Sequence, residues 1–418
     1  ALAAMREEVP ALKAVAPIMA ATDLYAVMFG REAGAAHVEL IFRWSHLVMH
    51  LMSKPFGMLE AMFTFFHGTG TALRKAYRHS PLNEADTLYL VPNSEPLEWF
   101  RDGFAHPLGT EPFWDDKRHF VQFENMTSIP PVLLFCGWYD FFSAESCMYD
   151  WKAMRKLNED CRMVIGPYTH WHVQAMQPKL WRTLLDFFDR HLLGDAAARE
   201  LPSVDAFAMG HDMGWMQMAD WPPPYTKEQK FGMIRGKDGD PNKLIDHNNS
   251  AIETFVESEI SYVYDPSDPT PQVGGATFNP SCCGRLSQNA IESRNDVLVF
   301  SSEPLESPML IAGEIKVHLE VVSNVEGTDY VARACQVTSD GESVNLADGI
   351  VRRFNLRPGR RTMVDITLSP VLNRLGVGDH LRLQICSSAY PKYGRHLNTR
   401  GSFHLEIEAN AVVSEQIL

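Results

Sequence analysis

Hydrophobic positions change their spacing partway along the chain. In the first half, short unbroken apolar runs are separated by stretches of helical period. The run PVLLFC at 131–136 stops at Gly137, and a second run at 162–165 stops at Gly166. Short apolar runs closed by glycine, without polar alternation, read as strands buried on both faces of a parallel sheet. After the second run, KLWRTLLDFFDRHLLGD sets Leu180, Leu184, Phe187, Phe188 and Leu192 at helical spacing and stops at Gly194. That pattern predicts an amphipathic helix with a glycine C-cap, packed on the sheet. From about residue 202 the period falls to two in VDAFAMG, EISYVYD, DVLVFSS, EIKVHLEVVS, YVARACQVT, TMVDITL, HLRLQICSS and SFHLEIEAN. Ser339-Asp340-Gly341 and Pro358-Gly359 supply turn signals between them. Many short strands broken by such turns predict a β-sandwich or jelly roll.

Upstream of the first run the pattern is looser. Residues 1–9 read as the end of a helix and 12–16 as a short strand closed by Pro17. Residues 45–125 are rich in Met, Phe, Leu and His, as in HLVMHLMSKPFGMLEAMFTFF, and have little strand character. Inserted between sheet segments, they read as a helical cap whose methionines and phenylalanines either form the cap's own core or line an acyl or aromatic pocket. The expected organisation is a sheet core over 1–44, a cap over 45–125, more sheet core over 126–200, and an all-β domain over 201–418.

The two apolar runs also deliver chemistry. Asp140 lies just past the end of the first and His170 just past the end of the second. Nucleophile, acid and base follow in that chain order in α/β-hydrolases, each on a loop at the carboxyl edge of the sheet. Asp140 and His170 fit the last two roles. No G-x-S-x-G precedes Asp140, so the first role is unfilled. Each residue has another reading: Asp140 as a helix N-cap, His170 as a core histidine, or His170 with His172 and Asp140 as metal ligands. Phe142, Trp138 and Trp171 flank the pair and are the candidates for touching substrate, with packing around the acid loop the simpler reading of Trp138.

GWYDFF at 137–142 and GPYTH at 166–170 resemble the acid and base motifs of the cocaine esterase and X-Pro dipeptidyl-peptidase family of serine hydrolases. LKAVAPIMAATDLY at 12–25 is similar to the segment after that family's nucleophile elbow. SYVYDPSDPTPQVGG, GTDYVARACQVTSDGESVNLADGIVRR and SSAYPKYGRHLNT resemble its C-terminal jelly roll in order and spacing. GDHLRL at 378–383 and SCCGRLSQ at 281–288 depart from the family's usual runs, and are expected to bear on the jelly roll rather than on the chemistry. The resemblance implies an α/β-hydrolase with a helical cap and a C-terminal jelly roll, cleaving an acyl ester, amide or X-Pro peptide. It places the serine, and the second oxyanion donor, upstream of Ala1. No metal or organic cofactor is implied. The expected partners are a small acyl ester, amide or short peptide, and either a second copy of the chain or a companion N-terminal fragment.

Composition narrows the field further. A chain of 418 residues with 45% hydrophobic and 22% charged residues is ordinary multidomain globular protein. A net charge of −14 with no basic stripe disfavours nucleic acid and anionic membrane. The most apolar stretch, 47–66, is interrupted by Lys54-Pro55 and Glu60, against a spanning helix. The seven cysteines show no C-x-x-C pair or zinc spacing, which favours a reducing compartment and leaves Cys282-Cys283 as a loop. The alternative class of function is a non-catalytic binding or assembly subunit that retains the hydrolase fold.

Overall fold

The computed structural model describes residues 2–7, 9–31, 34–53, 71–90, 95–115, 123, 126–142, 144–171, 173–237, 240–247, 259–401 and 404–418. A short helix, α1 (Leu2–Arg6), precedes an extended stretch parallel to strand β1 (Val132–Gly137). Val15 N–H donates to the Pro131 carbonyl at 3.0 Å and Met19 N–H to that of Phe135 at 2.8 Å. Pro17 does not close this pairing: it lacks an N–H but its carbonyl still accepts from Phe135 at 3.1 Å, so the ladder runs on to Met19.

Helices α2 (Leu24–Phe29), α3 (Val38–Ser53), α4 (Thr71–Arg78) and α5 (Glu98–Ala105) follow. Asp23 caps α2 by accepting the Ala26 N–H at 3.0 Å. The helical layer is held by aromatic rings: Phe42 stacks on Tyr77 at 5.6 Å, and Phe29, Phe100 and Phe104 meet edge-on. Because Phe29, Ile41 and Phe42 face this cluster, the layer begins at Leu24 and α3 runs across residue 45.

β1 is buried at all six positions. It pairs in parallel with β2 (Cys161–Gly166), Val132 opposite Cys161 through Gly137 opposite Gly166, with α6 (Ala144–Arg155) as the crossover. Val132 and Leu134 pack with Met148, Trp151 and Met154 of α6 on one face. Leu133 and Phe135 pack with Leu180 and Phe187 of α7 (Val173–Phe188) on the other. Burial on both faces explains the unbroken apolar run, at about 1.5–3 kcal/mol for each large side chain. Gly194 closes the helix in the left-handed region (φ 70°), as the spacing predicts. Leu192, expected on the packed face, is 54% exposed. The last turn, Asp189–Leu193, widens to π spacing, which rotates it out of phase.

The sheet continues past residue 200. β3 (Val204–Gly210) is parallel to β2 and antiparallel to β4 (Gly214–Met218), and its tip is parallel to β14 (Val371–Leu375). β14 in turn pairs with β9 (Met309–Gly313), so two strands of the β domain extend the hydrolase sheet. The β domain proper has one sheet in the order β13 (Thr362–Thr367), β10 (Lys316–Ser323), β16 (Ser414–Ile417), β7 (Ser261–Tyr264). The other runs β12 (Ser343–Arg353), β11 (Thr328–Val337), β15 (His380–Cys386), β8 (Leu298–Ser301), β6 (Asn242–Asp246), β5 (Phe231–Ile234). Val317, Leu319 and Val321 of β10 meet Tyr330, Ala332 and Ile385 between them. One expected strand is absent: residues 404–410 of SFHLEIEAN form no ladder. There His404 and Glu406 point inward while Leu405 and Ile407 are exposed, the reverse of a half-buried strand. Cys136 of β1 and Cys147 of α6 form a disulfide that the spacing did not reveal.

Candidate active site

The acid and base loops leave neighbouring parallel strands and stay zipped beyond them. Trp138 N–H donates to the Gly166 carbonyl at 2.9 Å, and Tyr139 N–H to that of Tyr168 at 3.0 Å. This close approach needs Gly137, since a Cβ there would lie 2.2 Å from the Tyr168 carbonyl oxygen. The zipper brings Asp140 Oδ2 to 2.8 Å from His170 Nδ1. Asp140 is 1% exposed, and its Oδ1 accepts the Phe142 N–H at 2.8 Å. A carboxylate only accepts, so His170 Nδ1 donates and Nε2 is left with its lone pair free for a proton. The His170 ring is part-exposed, with 28% of its side chain open to solvent. Among the described residues no serine hydroxyl is hydrogen-bonded to it.

Aromatic rings surround the imidazole. Phe141 lies 4.6 Å from its centroid, Trp171 5.3 Å, Phe142 5.8 Å and Phe278 6.3 Å. Two of the three flanking candidates, Phe142 and Trp171, are thus brought to His170. Trp138 is not. Its indole donates to the Phe207 carbonyl of β3 at 2.8 Å and its ring packs on Trp221 in the core, so it takes the packing role.

The sequence reading missed Phe141 and Phe278. Phe278 comes from the β-domain loop 275–284 and is 1% exposed, yet its ring sits 4.6 Å from Phe141. This loop overlaps the 281–288 segment only at its closing end, where Gly284 pairs with Gly275. Cys283 lies within hydrogen-bonding reach of the Thr169 side chain, next to His170, and burial pushes its thiol up to about 11. A thiol so far from ionising is inert packing. The only local signal for this loop is one aromatic between close glycines, Gly275 and Gly284. The cap residues 54–70, and His172, lie outside the described residues, as do the side chains of Met49 and Met52. Among the described residues no three His, Cys, Asp or Glu gather as a metal site, and no helix is long and apolar enough to cross a membrane.

Comparison with known proteins addresses the same elements. Residues 1–172 match the model of the X-Pro dipeptidyl-peptidase (S15 family), and 196–407 that of the X-Pro dipeptidyl-peptidase C-terminal non-catalytic domain. Cocaine esterase of Rhodococcus sp. (strain MB1 Bresler) is 31% identical over 93% of this chain and 71% of its own length. The chain belongs to the cocaine esterase and X-Pro dipeptidyl-peptidase family. A putative serine esterase of Mycobacterium bovis is 22% identical over 64% of the chain and 43% of its own length. Among solved structures, an α-amino acid ester hydrolase superposes with a TM-score of 0.76 at 18% identity, over the whole chain and 72% of its own. An aminopeptidase from a marine sediment archaeon, Thaumarchaeota archaeon, gives 0.75 at 18% identity, over 97% of this chain and 70% of its own. In this family fold, Asp140 and His170 sit where the parallel strands β1 and β2 end. The chemistry common to the family's esterases and peptidases is serine hydrolysis.

Proposed function

We propose that Asp140 and His170 are the acid and base of a Ser-Asp-His triad that cleaves an acyl ester, and by the same chemistry an amide or X-Pro peptide bond. The observation that carries this is the 2.8 Å bond from His170 Nδ1 to a buried carboxylate at the ends of adjacent parallel strands. Asp140 holds the ring in one tautomer and stabilises the imidazolium. His170 Nε2 takes the serine proton as the hydroxyl attacks the acyl carbon, then delivers it to the leaving oxygen or nitrogen. In the second half-reaction it deprotonates water, which releases the acid and regenerates the serine. On this reading the serine precedes Asp140, as the nucleophile does in the chain order of α/β-hydrolases, and lies ahead of the 12–25 segment. Phe141, Phe142, Trp171 and Phe278 favour an apolar or aromatic acyl group beside the imidazole.

A fluorophosphonate probe on the native protein tests the reading. Covalent label on a serine, lost when His170→Ala is introduced into a folded variant, is the expected result. Equal labelling with and without His170, or no label on folded full-length protein, overturns it.

A further inference from the structure

The proposed chemistry makes no use of Glu39, yet this carboxylate is buried at 3% exposure. It lies in the first turn of α3, and its Oε1 is 2.5 Å from Nε of Arg43 one turn later. Burial pushes the Glu39 pKa up, and Arg43 and the Phe278 amide oppose that. A buried ion pair is weak evidence for stability, so what else Glu39 touches decides its role. The second oxygen, Oε2, accepts the Phe278 N–H at 3.1 Å, across 239 residues of chain.

The loop carrying Phe278 is closed at its base by paired bonds between Gly275 and Gly284, at 2.7 and 3.0 Å. Its tip is braced by Asn279, whose backbone and side chain accept from Cys282 N–H at 3.2 Å and Ser281 N–H at 3.1 Å. Such a loop moves as a unit. Its only freedom to matter here is where it seats the Phe278 ring. The Phe278 carbonyl accepts the Trp171 indole N–H at 3.0 Å. Both backbone groups of Phe278 are therefore held from opposite sides, one by the helical layer and one by the residue after His170.

We propose that Glu39 is a positioning residue for substrate selection: it fixes the β-domain loop so that the buried Phe278 ring backs Phe141 and Trp171, the rings nearest His170, where an aromatic acyl group would lie. This rests on the proposed acyl-transfer site. Acyl preference is then set jointly by α3, the base loop and the β domain, and charge loss at Glu39 unseats the ring.

The test uses the full-length enzyme with two variants, Glu39→Gln and Trp171→Phe, with the ester ratio read on Glu39→Gln, because Trp171 itself stands beside His170, and exchange read on both. The second removes a different strut of the same clamp, so a folding failure in one leaves the other informative. Hydrogen exchange of peptides covering 275–284 should quicken about tenfold in both. The ratio of kcat/KM for p-nitrophenyl benzoate over acetate should fall about tenfold, through the benzoate KM. A tenfold change corresponds to about 1.4 kcal/mol, the scale of one hydrogen bond to a charged group. Unchanged exchange, or quickened exchange with an unchanged ratio, overturns the proposal. If the wild-type enzyme hydrolyses neither ester, the acyl-transfer reading falls, and exchange alone decides whether Glu39 holds the loop.

Discussion

Asp140→Asn isolates the tautomer argument, because the structure dictates how the new amide must sit. Asp140 Oδ1 faces the Phe142 N–H and Oδ2 faces His170 Nδ1, each at 2.8 Å. In the asparagine variant the amide oxygen stays opposite Phe142. Turning the NH2 there would oppose two donors in a buried site and cost about 1–3 kcal/mol. The NH2 therefore faces Nδ1, which must accept, and the proton moves to Nε2. An imidazole protonated at Nε2 cannot receive the serine proton. In Ser-His-Asp enzymes that switch costs about 10⁴ in kcat, or roughly 5.5 kcal/mol of barrier. Initial rates on p-nitrophenyl acetate, with the full-length enzyme and a matched thermal midpoint, should show a loss of about 10³–10⁴. Retention of activity within about tenfold of wild type would refute the assignment of Asp140.

Three further outcomes follow from geometry. Gly137→Ala should lose about 1–3 kcal/mol in denaturant titration and also lower kcat, since its Cβ would force the Tyr168 carbonyl, 2.2 Å away, and the base loop outward; an unchanged midpoint contradicts this. Burial raises the Asp150 pKa to about 7 from an ordinary 3.8, although Thr22 donates to it through N–H at 3.0 Å and Oγ1 at 2.5 Å. The folded state thus holds a proton the unfolded chain gives up, so this group's contribution is full below about pH 4 and lost as pH rises to 7. Stability of wild type minus Asp150→Asn should fall over that interval, by at most about 4 kcal/mol; a flat difference sinks the idea. Under denaturing, non-reducing conditions five thiols should react, those of the free cysteines; seven would mean that Cys136 and Cys147 are not bonded.

What could be read from sequence was local and periodic. β1 and β2 announced themselves as apolar runs because both of their faces are covered, and Asp140 and His170 stood out because each follows such a run. The packed face of α7 was legible up to Phe187, and misread only where the π turn shifts the phase of Leu192. Hydrophobic alternation misled at 404–407, where the buried side chains are His and Glu. Trp138 and Trp171 look alike on paper, each beside a motif residue, and only the three-dimensional course of β3 separates core from site. Phe278 and Glu39 were out of reach for a different reason. Their meaning is a contact between residues 239 apart, which no local pattern encodes.

The junction of β3 with β14 sets a timetable for the nascent chain. Leu372 packs in the same core as Val132, Trp151 and Val204, and Arg374 stands opposite Gly210. The hydrolase sheet therefore leaves the ribosome with part of its core uncovered, and waits for ~160 more residues, roughly 8–30 s of synthesis at 5–20 residues per second. During that interval the tip of β3, which later pairs with Asn373 and Arg374, is open to wrong partners. Completion of the β domain is thus a step in folding the hydrolase core, and the two should melt as one cooperative unit rather than as separable modules.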